Sequence, residues 1–255
     1  MTVVPDLARS ALGERAAVAN AVHYGAREDP NAHFKSRYHR VRLQIAAALL
    51  LDSLATTSTA TSGAPTVLEL GAGAGTTAQT LAAAGLRVIA SDVVDNQLPE
   101  PPPAGVTNLR LDASREFPVA DESIDAVFAG ELIEHLFDTR DFLDEIWRVL
   151  RPGGVLVLTT PNLAGLQDRL RFLLGRAPRQ IDPLHPYLYL HIRGFTARSL
   201  RRTLRETGFR DHTLRSNFVA FRWKSGRRLY LRTPARLLPG LGGSLIVSAH
   251  KGERA

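Results

Sequence analysis

Residues 66–85 pass from an apolar stretch through a glycine-rich turn into a pattern with helical spacing. The sequence VLEL at 67–70, which is apolar apart from Glu69, predicts a short buried strand, and Gly71, Gly73 and Gly75 follow it at once. Glycine allows the backbone to turn sharply at such a place and lets a ligand lie close against it. This strand–turn–helix unit is typical of folds in which strands and helices alternate along the chain.

The rest of the chain continues this alternation. The period of the apolar residues predicts strands at 88–92, 108–112, 124–130 and 155–160. It also predicts helices at 33–55 and 138–150, the second ended by a tight stop at 151–154. Farther along we expect helices at 163–175 and 196–208 and strands at 209–217 and 244–251, and we assign no element to the basic and aromatic residues 218–240. We therefore predict a doubly wound α/β fold with a parallel sheet and helices on both faces.

The glycine turn points to a nucleoside ligand other than a dinucleotide. Thr76 stands where the dinucleotide fingerprint requires a third glycine, and no lysine follows that would indicate a phosphate-binding loop. Asp92 ends the second predicted strand 21 residues after Gly71. An acidic side chain at that place can accept hydrogen bonds from the hydroxyl groups of a ribose.

Composition and charge exclude some chemistry and leave the partner open. The chain of 255 residues has no cysteine, which excludes disulfides, thiolate metal sites and a cysteine nucleophile. The net charge of +7 divides into −7 over residues 1–162 and +14 over residues 163–255. The basic part predicts either an acidic partner (nucleic acid, anionic lipid headgroup or phosphorylated substrate) or a solvated arginine face docked on the acidic core.

The chain divides into three predicted parts. We expect an N-terminal helical cap over residues 1–62, an α/β core over 63–162, and a basic part over 163–255 that completes the sheet and covers the substrate site. The first residues lack a basic start followed by an apolar core, and no apolar run is long enough to span a bilayer. These features predict a cytoplasmic location.

Residues 67–162 resemble a known enzyme family. The similar segments are VLELGAGAG, VIASD, LDAS, FPVADESIDAVFAGELIEHL and EIWRVLRPGGVLVLTTPN. They resemble the class I S-adenosylmethionine-dependent methyltransferases of type 11, a group that includes the O-methyltransferases of the ubiquinone pathway. The resemblance implies a Rossmann-like sheet of seven strands, S-adenosylmethionine as cofactor, and methyl transfer as the reaction.

The same resemblance assigns residues to the cofactor. It implies that the three glycines approach the methionine and adenosine parts, that Asp92 holds the ribose, and that Asp112 and Ala113 flank the adenine. Glu131, at the end of the strand 124–130, is expected close to the sulfonium. The full set of expected cofactor residues is Glu69, Gly71, Gly73, Gly75, Asp92, Asp112, Ala113 and Glu131.

The segment that follows this strand allows two mechanisms. Glu131, Glu134 and His135 have the spacing E-x-x-E-H, which resembles the metal motif of small-RNA 2′-O-methyltransferases and of some ubiquinone-pathway enzymes. By that resemblance His191 is the fourth ligand, and carboxylate and imidazole groups suit Mg²⁺, Mn²⁺ or Zn²⁺. In the metal-free alternative, His135 alone is the general base, Glu131 orients the cofactor, and Glu134 faces solvent or a salt bridge. His185 is a further candidate for a metal ligand or for the base.

The acceptor is open at this point. Candidate substrate residues lie in the N-terminal helix and after the fifth strand, and they are Tyr38, His39, His185 and Tyr187. Core packing is the alternative for the tyrosines. We expect O-methylation of a small molecule, glycan, lipid-linked sugar or quinone-type ring. The alternatives are an RNA 2′-O-methyltransferase and a non-catalytic partner subunit. The basic residues 218–240 could also contact an anionic membrane surface or form a homodimer in place of a monomer.

Overall fold

A mixed sheet with helices on both faces forms the centre of the molecule. The computed structural model describes residues 6–26, 35–57, 63–94, 98–182, 184–185, 188–223 and 225–254. In these residues the strands are β1 (Thr66–Leu70), β2 (Arg87–Asp92), β3 (Val106–Arg110), β4 (Ile124–Gly130), β5 (Leu150–Pro161), β6 (Phe209–Arg215), β7 (Val219–Arg222), β8 (Arg228–Leu231) and β9 (Ser244–Lys251). The helices are α1 (Asp6–Gly25), α2 (Arg37–Thr56), α3 (Thr76–Ala83), α4 (Thr139–Val149), α5 (Leu166–Leu173), α6 (Ala197–Glu206) and α7 (Arg232–Leu237).

The seven-stranded sheet has the order β3-β2-β1-β4-β5-β9-β6. The doubly wound α/β fold is confirmed, and β1 to β5 are parallel as expected. The parallel arrangement expected from the strands up to residue 160 does not extend over the whole sheet, because β9 is antiparallel to both β5 and β6. The segment between β6 and β9 contains no crossover back along the sheet. It forms the β7–β8 hairpin and α7 near the end of β6, so β9 has to run in the reverse direction.

Alternating side chains of the strands build a core on each face. Leu68 and Val127 pack on one side with α4 and α6, whereas Val67 and Phe128 pack on the other side with α2 and α3. The helices α2, α3, α4 and α6 each present apolar side chains to the sheet, and in α4 these are Phe142, Leu143, Ile146 and Val149. Both faces of the central strands are therefore covered, and only the strand ends remain for a site.

The predicted end of helix α4 is correct, but the residues expected to form a tight stop after it belong to a strand. The helix ends at Val149 and the chain is extended from Leu150 onward, so the RPGG segment 151–154 is the first part of β5. Residue 154 has to be a glycine, because a Cβ at this position would lie 2.8 Å from the carbonyl oxygen of Arg151. The glycines thus serve close strand packing at this place.

Several segments differ from the sequence prediction in extent or kind, among them the strand predicted at 108–112, which is observed at Val106–Arg110. The helix predicted at 33–55 is observed from Arg37, and residues 33 and 34 lie outside the described part. The helix predicted at 163–175 begins only at Leu166, since the side chain of Asn162 accepts a hydrogen bond from the amide of Ala164 and forms a turn first. Residues 218–240 contain the β7–β8 hairpin and α7.

The helix α1 lies within the helical cap expected over residues 1–62, but its own bounds were not predicted, since its alanines and valines form no clear apolar stripe. Gly13 of this helix faces Ser114, and Gly25 faces Val94, so α1 extends along the loops that follow β2 and β3. The exposed ion pair between Glu14 and Arg115 joins it to the same loops. In the part of the chain that is described, no helix has the length and apolarity needed to cross a membrane.

Candidate active site

A cavity of about 890 Å³ opens at the edge of the sheet where the parallel strands end. Its wall is formed by the loops after β1, β2, β3 and β4, by the helices α1 and α2, and by the segments between β5 and β9. Open α/β sheets bind ligands at this edge, because the loops there converge while the rest of the sheet is covered. The cavity is large enough for a nucleoside cofactor together with a second molecule.

The glycine turn lines one end of this cavity. Gly71, Gly73 and Gly75 have φ angles of 70°, 51° and 69°, a left-handed conformation that favours glycine. Gly71 and Gly73 line the cavity wall. Gly75 does not line it, but instead precedes α3, where a Cβ would lie 3.0 Å from the ring of Pro99. The turn therefore requires glycine for backbone shape at all three positions, and at Gly75 for packing against Pro99 as well.

The carboxylate of Asp92 is held against this turn. Oδ2 accepts a hydrogen bond of 2.8 Å from the amide of Gly73, and Oδ1 accepts one of 3.0 Å from the amide of Val94. Asp92 lines the cavity, and each carboxylate oxygen has a second lone pair. This arrangement fixes the carboxylate where it can also accept hydrogen bonds from neighbouring hydroxyl groups of a ribose.

Asp112 and Ala113 line the next part of the wall, after β3. Oδ1 of Asp112 accepts hydrogen bonds from the amide of Ser114, at 2.9 Å, and from its hydroxyl, at 2.7 Å. Arg115 lies 3.3 Å from the other carboxylate oxygen. The side chain is thus fixed beside the cavity, with Ala113 providing a small apolar surface next to it.

Glu69 lies beneath the turn and does not contact the cavity. Its buried carboxyl group is hydrogen-bonded to the side chain of Thr77 and the backbone of Ala78, at the start of α3. Burial raises the pKa of Glu69 to about 8, since water is excluded from the charged form. Oε2 has no hydrogen-bond partner among the described residues. Glu69 therefore supports the turn from behind.

Glu131 joins the sheet to the N-terminal helices. Its φ of 54° is unusual for a residue with a side chain, and its amide donates to the carbonyl of Thr159. The hydroxyl of Thr159 donates to Oε1 at 3.1 Å, while Nη1 of Arg42 lies 2.7 Å from Oε2. Arg42 is buried in α2, so the ion pair is largely withdrawn from water and holds the carboxylate in one place.

Three of the four expected metal residues come together. One possible ligand atom from each of Glu134, His135 and His191 lies within 4.8 Å of the other two. Glu131 is not in this group, because its carboxylate is paired with Arg42 and Thr159. The short helix Ile133–His135 places Glu134 and His135 side by side at the end of β4.

Glu134 is the buried carboxyl group of the cluster. Oε2 accepts a hydrogen bond of 2.9 Å from the hydroxyl of Thr160, whereas Oε1 is buried with no hydrogen-bond partner in the described part of the chain. Burial, and next the charge of Glu131, raise the pKa of Glu134 well above its ordinary value. A buried acceptor atom without a partner indicates a place where a cation or a hydrogen-bond donor would bind.

His135 is oriented by a backbone carbonyl. Its Nδ1 lies 3.2 Å from the carbonyl oxygen of Leu190, which can only accept, so Nδ1 carries the hydrogen. Nε2 lies 3.5 Å from the hydroxyl of Tyr24, and in the neutral ring this nitrogen has the lone pair. The ring of His191 lies edge to face against it, with centroids 4.9 Å apart, and burial lowers the pKa of His191.

Three of the four expected substrate residues lie on the same cavity. Tyr38, His39 and His185 line the cavity, and Tyr187 lies outside the described residues. The hydroxyl of Tyr38 is 3.1 Å from that of Ser244, and burial raises the pKa of this tyrosine. Nδ1 of His39 accepts a hydrogen bond of 3.0 Å from Arg42.

Sequence reasoning did not identify Tyr24, Arg42, Trp223, Arg228 and Tyr230, although all five line the cavity. Arg42 alone carries a signal in the sequence. It stands next to Val41 on the apolar side of α2, where an arginine requires a buried partner.

The chain is similar to known methyltransferases. Residues 68–158 match the type 11 family described as "Methyltransferase domain". A probable S-adenosylmethionine-dependent methyltransferase of Mycolicibacterium smegmatis is 36% identical over 152 residues, which are 56% of this chain and 51% of that protein. A demethylmenaquinone methyltransferase of a Mycobacterium strain is 30% identical over 165 residues, 62% of this chain and 70% of that protein. The chain spans about half the length of the first mycobacterial relatives, with 51% and 48% covered.

Solved structures share the fold. The 1,6-didemethyltoxoflavin-N1-methyltransferase of Burkholderia thailandensis, solved with S-adenosylhomocysteine, has a TM-score of 0.60 at 16% identity, and the match covers 99% of this chain and 93% of that chain. A methyltransferase solved with the Haloferax volcanii Trm112 activator has a TM-score of 0.57 at 15% identity, covering 99% and 100% of the two chains.

The position of Asp92 predicts a role in cofactor affinity. Asp92→Ala should weaken S-adenosylmethionine binding by about 1–3 kcal/mol, because the ribose hydroxyls lose a charged acceptor. Asp92→Asn keeps one acceptor oxygen and should lose less. Isothermal titration calorimetry on the three proteins measures this, and unchanged affinity in Asp92→Ala would contradict the ribose assignment.

The buried carboxyl of Glu69 predicts a pH dependence of stability. The folded chain holds the Glu69 proton up to a pKa of about 8, whereas the unfolded chain releases it near 4.5. Glu69 therefore stabilises the fold most below pH 4.5 and loses this contribution as the pH rises to 8. Compared with Glu69→Gln, the free energy of unfolding of the wild type should fall by a few kcal/mol between pH 5 and pH 8. Urea unfolding of both proteins at the two pH values tests this, and a constant difference would disprove the shift.

Proposed function

Because the chain belongs to the type 11 family of S-adenosylmethionine-dependent methyltransferases, we propose that it transfers the methyl group of this cofactor to a hydroxyl oxygen of a small molecule. The continuous cavity is the observation that carries this proposal. The glycine turn and Asp92 line one part of it, and His135 lines another. A cofactor at the turn and an acceptor near His135 would then occupy one enclosed space.

The residues at the turn suit the cofactor. Gly71 and Gly73 would lie along its methionine and adenosine parts, Asp92 would accept the ribose hydroxyls, and Asp112 with Ala113 would flank the adenine. Bound S-adenosylmethionine supplies a methyl group on a positively charged sulfur, which needs no further activation. The protein therefore has to align the acceptor, exclude water and remove one proton.

His135 is the group proposed to take that proton. Leu190 holds the hydrogen on Nδ1, so Nε2 is the accepting atom. The hydroxyl of Tyr24, from α1, lies 3.5 Å from this nitrogen, and both residues line the cavity. As the acceptor oxygen forms its bond to the methyl carbon, its proton would move to Nε2 of His135. After the reaction the ring would pass this proton to water and become neutral again.

The acceptor wall suits a ring or a sugar. Tyr38, Trp223 and Tyr230 provide aromatic surface, while Arg228 provides a positive charge for an acidic group. Among the relatives are a human mitochondrial ubiquinone biosynthesis O-methyltransferase, 31% identical over 126 residues, and the demethylmenaquinone methyltransferases. We therefore favour a quinone-type ring, a glycan or a lipid-linked sugar as acceptor.

A metal-assisted form of the reaction is the second candidate, and the orphaned Oε1 of Glu134 favours it. Glu134, His135 and His191 would hold the ion. One carboxylate and two imidazoles suit Mn²⁺ or Zn²⁺ better than Mg²⁺, which prefers oxygen ligands alone. When bound, such an ion lowers the pKa of a coordinated hydroxyl group. In this form Glu131 is a positioning residue and not a metal ligand, because its carboxylate is paired with Arg42.

The two forms predict different responses to a chelator. With methyl-labelled S-adenosylmethionine and a panel of catechols and methyl glycosides, we expect label on an acceptor oxygen. His135→Ala should lower turnover by about 10²–10⁴-fold while leaving calorimetric cofactor affinity within about twofold. If His135 is a lone base, EDTA should not change turnover.

In the metal-assisted form, EDTA should abolish turnover and Mn²⁺ should restore it. Glu134→Gln and His191→Ala should then both reduce Mn²⁺ binding, measured by electron paramagnetic resonance, as expected for ligands that act as a unit. Label on nitrogen or carbon, or no transfer by a protein that binds the cofactor, would contradict the proposed O-methylation.

A further inference from the structure

We propose that the rim of the cavity is a docking surface for an anionic lipid bilayer. This surface, which we call the rim, consists of residues 169–182 and 184 (the end of α5 and the loop after it) and residues 223 and 225–229 (the turn of the β7–β8 hairpin). It combines exposed apolar side chains with arginines. The inference concerns where the protein binds and does not depend on which atom it methylates.

The apolar side chains of the rim are unusually exposed. Phe172, Leu173 and Leu174 are consecutive and are 70%, 80% and 74% exposed. Leu184 is 92% exposed and Trp223 is 52% exposed. Single exposed leucines are common, but a group of large apolar side chains in neighbouring segments indicates an interaction surface.

The charge around these side chains has one dominant sign. Residues 169–181 contain four arginines and no acidic residue, and residues 218–240 contain six basic residues and no acidic one. Asp168 lies next to this run but is buried, with Nε of Arg179 at 3.3 Å. Asp182 is the acidic residue at the rim itself. Arginines around exposed leucine, phenylalanine and tryptophan are the combination that binds an anionic membrane surface.

The two parts of the rim lie on one cavity. Arg171 and Ile181 from the first part, and Trp223 and Arg228 from the second, all line its wall. The apolar side chains of residues 172–174 directly follow Arg171 in the chain. A bilayer on the rim would therefore face the cavity opening, and an amphiphilic acceptor could enter without crossing water.

Charge complementarity favours a bilayer over the other occupants. In a twofold contact with a second copy, the same arginine-rich patch would face itself, which is unfavourable. Single-stranded RNA would also be attracted by the arginines, but its bases stack on aromatic side chains. Two of the three consecutive exposed residues 172–174 are leucines, which offer no surface for such stacking. An anionic bilayer provides negative headgroups and an apolar interior together.

The test is co-sedimentation of the full chain with vesicles. We expect binding to vesicles of phosphatidylcholine with phosphatidylglycerol, weaker binding at high salt, and little binding to phosphatidylcholine alone. The double variant Phe172→Ser/Leu173→Ser should weaken binding by at least tenfold. Arg176→Gln/Arg227→Gln should weaken it by about tenfold or more, since each arginine near an anionic surface contributes about fivefold.

Arg198→Gln/Arg201→Gln is the charge-matched control, because these exposed arginines lie on α6 and do not line the cavity. It should bind vesicles like the wild type. Calorimetry with S-adenosylhomocysteine checks each variant for an intact fold. The proposal is overturned if anionic vesicles bind no protein, if the rim variants bind as well as the wild type, or if the control loses as much. Two further results would overturn it when no vesicle binding is seen. One is a dimer in ultracentrifugation that the rim variants abolish, and the other is binding to a single-stranded RNA that the rim variants abolish.

Discussion

The strands β1, β2 and β4 run parallel, so their carboxyl ends meet at one edge of the sheet. Both faces of these strands are buried under helices, and their loops have only this edge on which to converge. The glycine turn, Asp92 and the residues 131–135 are brought together by this constraint, although they are far apart in the chain. The cap helices and the C-terminal segments then close the edge into a cavity.

The electrostatics of the cavity depend on one buried arginine. Glu131 and Glu134 both lie at the end of β4, and Arg42 pairs directly with only the first. The charge of Glu131 adds to the effect of burial in raising the pKa of Glu134. Oε1 of Glu134 is buried without a hydrogen-bond partner among the described residues, so a ligand that is a cation or a hydrogen-bond donor would satisfy it.

The sequence alone predicts those elements that depend on the pattern of neighbouring residues in the chain. The strand–turn–helix unit, the helix α4 and β9, whose bounds 244–251 agree with the prediction, follow from periodicity and from turn residues. The pairing of Arg42 with Glu131, and the contact of Tyr24 with His135 across 111 residues, arise only from folding. No local pattern predicts α1 or the β7–β8 hairpin, since each is placed by packing against distant segments. The position of the Glu69 side chain could not be predicted either, because the motif indicates the cofactor turn but not that this side chain lies behind the turn.

We propose that one cavity holds the cofactor at the glycine turn with its sulfur directed towards His135. A crystal structure with S-adenosylhomocysteine and a catechol tests this placement most directly. We expect the ribose hydroxyls within hydrogen-bond distance of the Asp92 carboxylate, and a catechol oxygen beside Nε2 of His135 on the sulfur side of the cofactor. A nucleoside bound away from Asp92, or a catechol separated from the sulfur by protein, would contradict it.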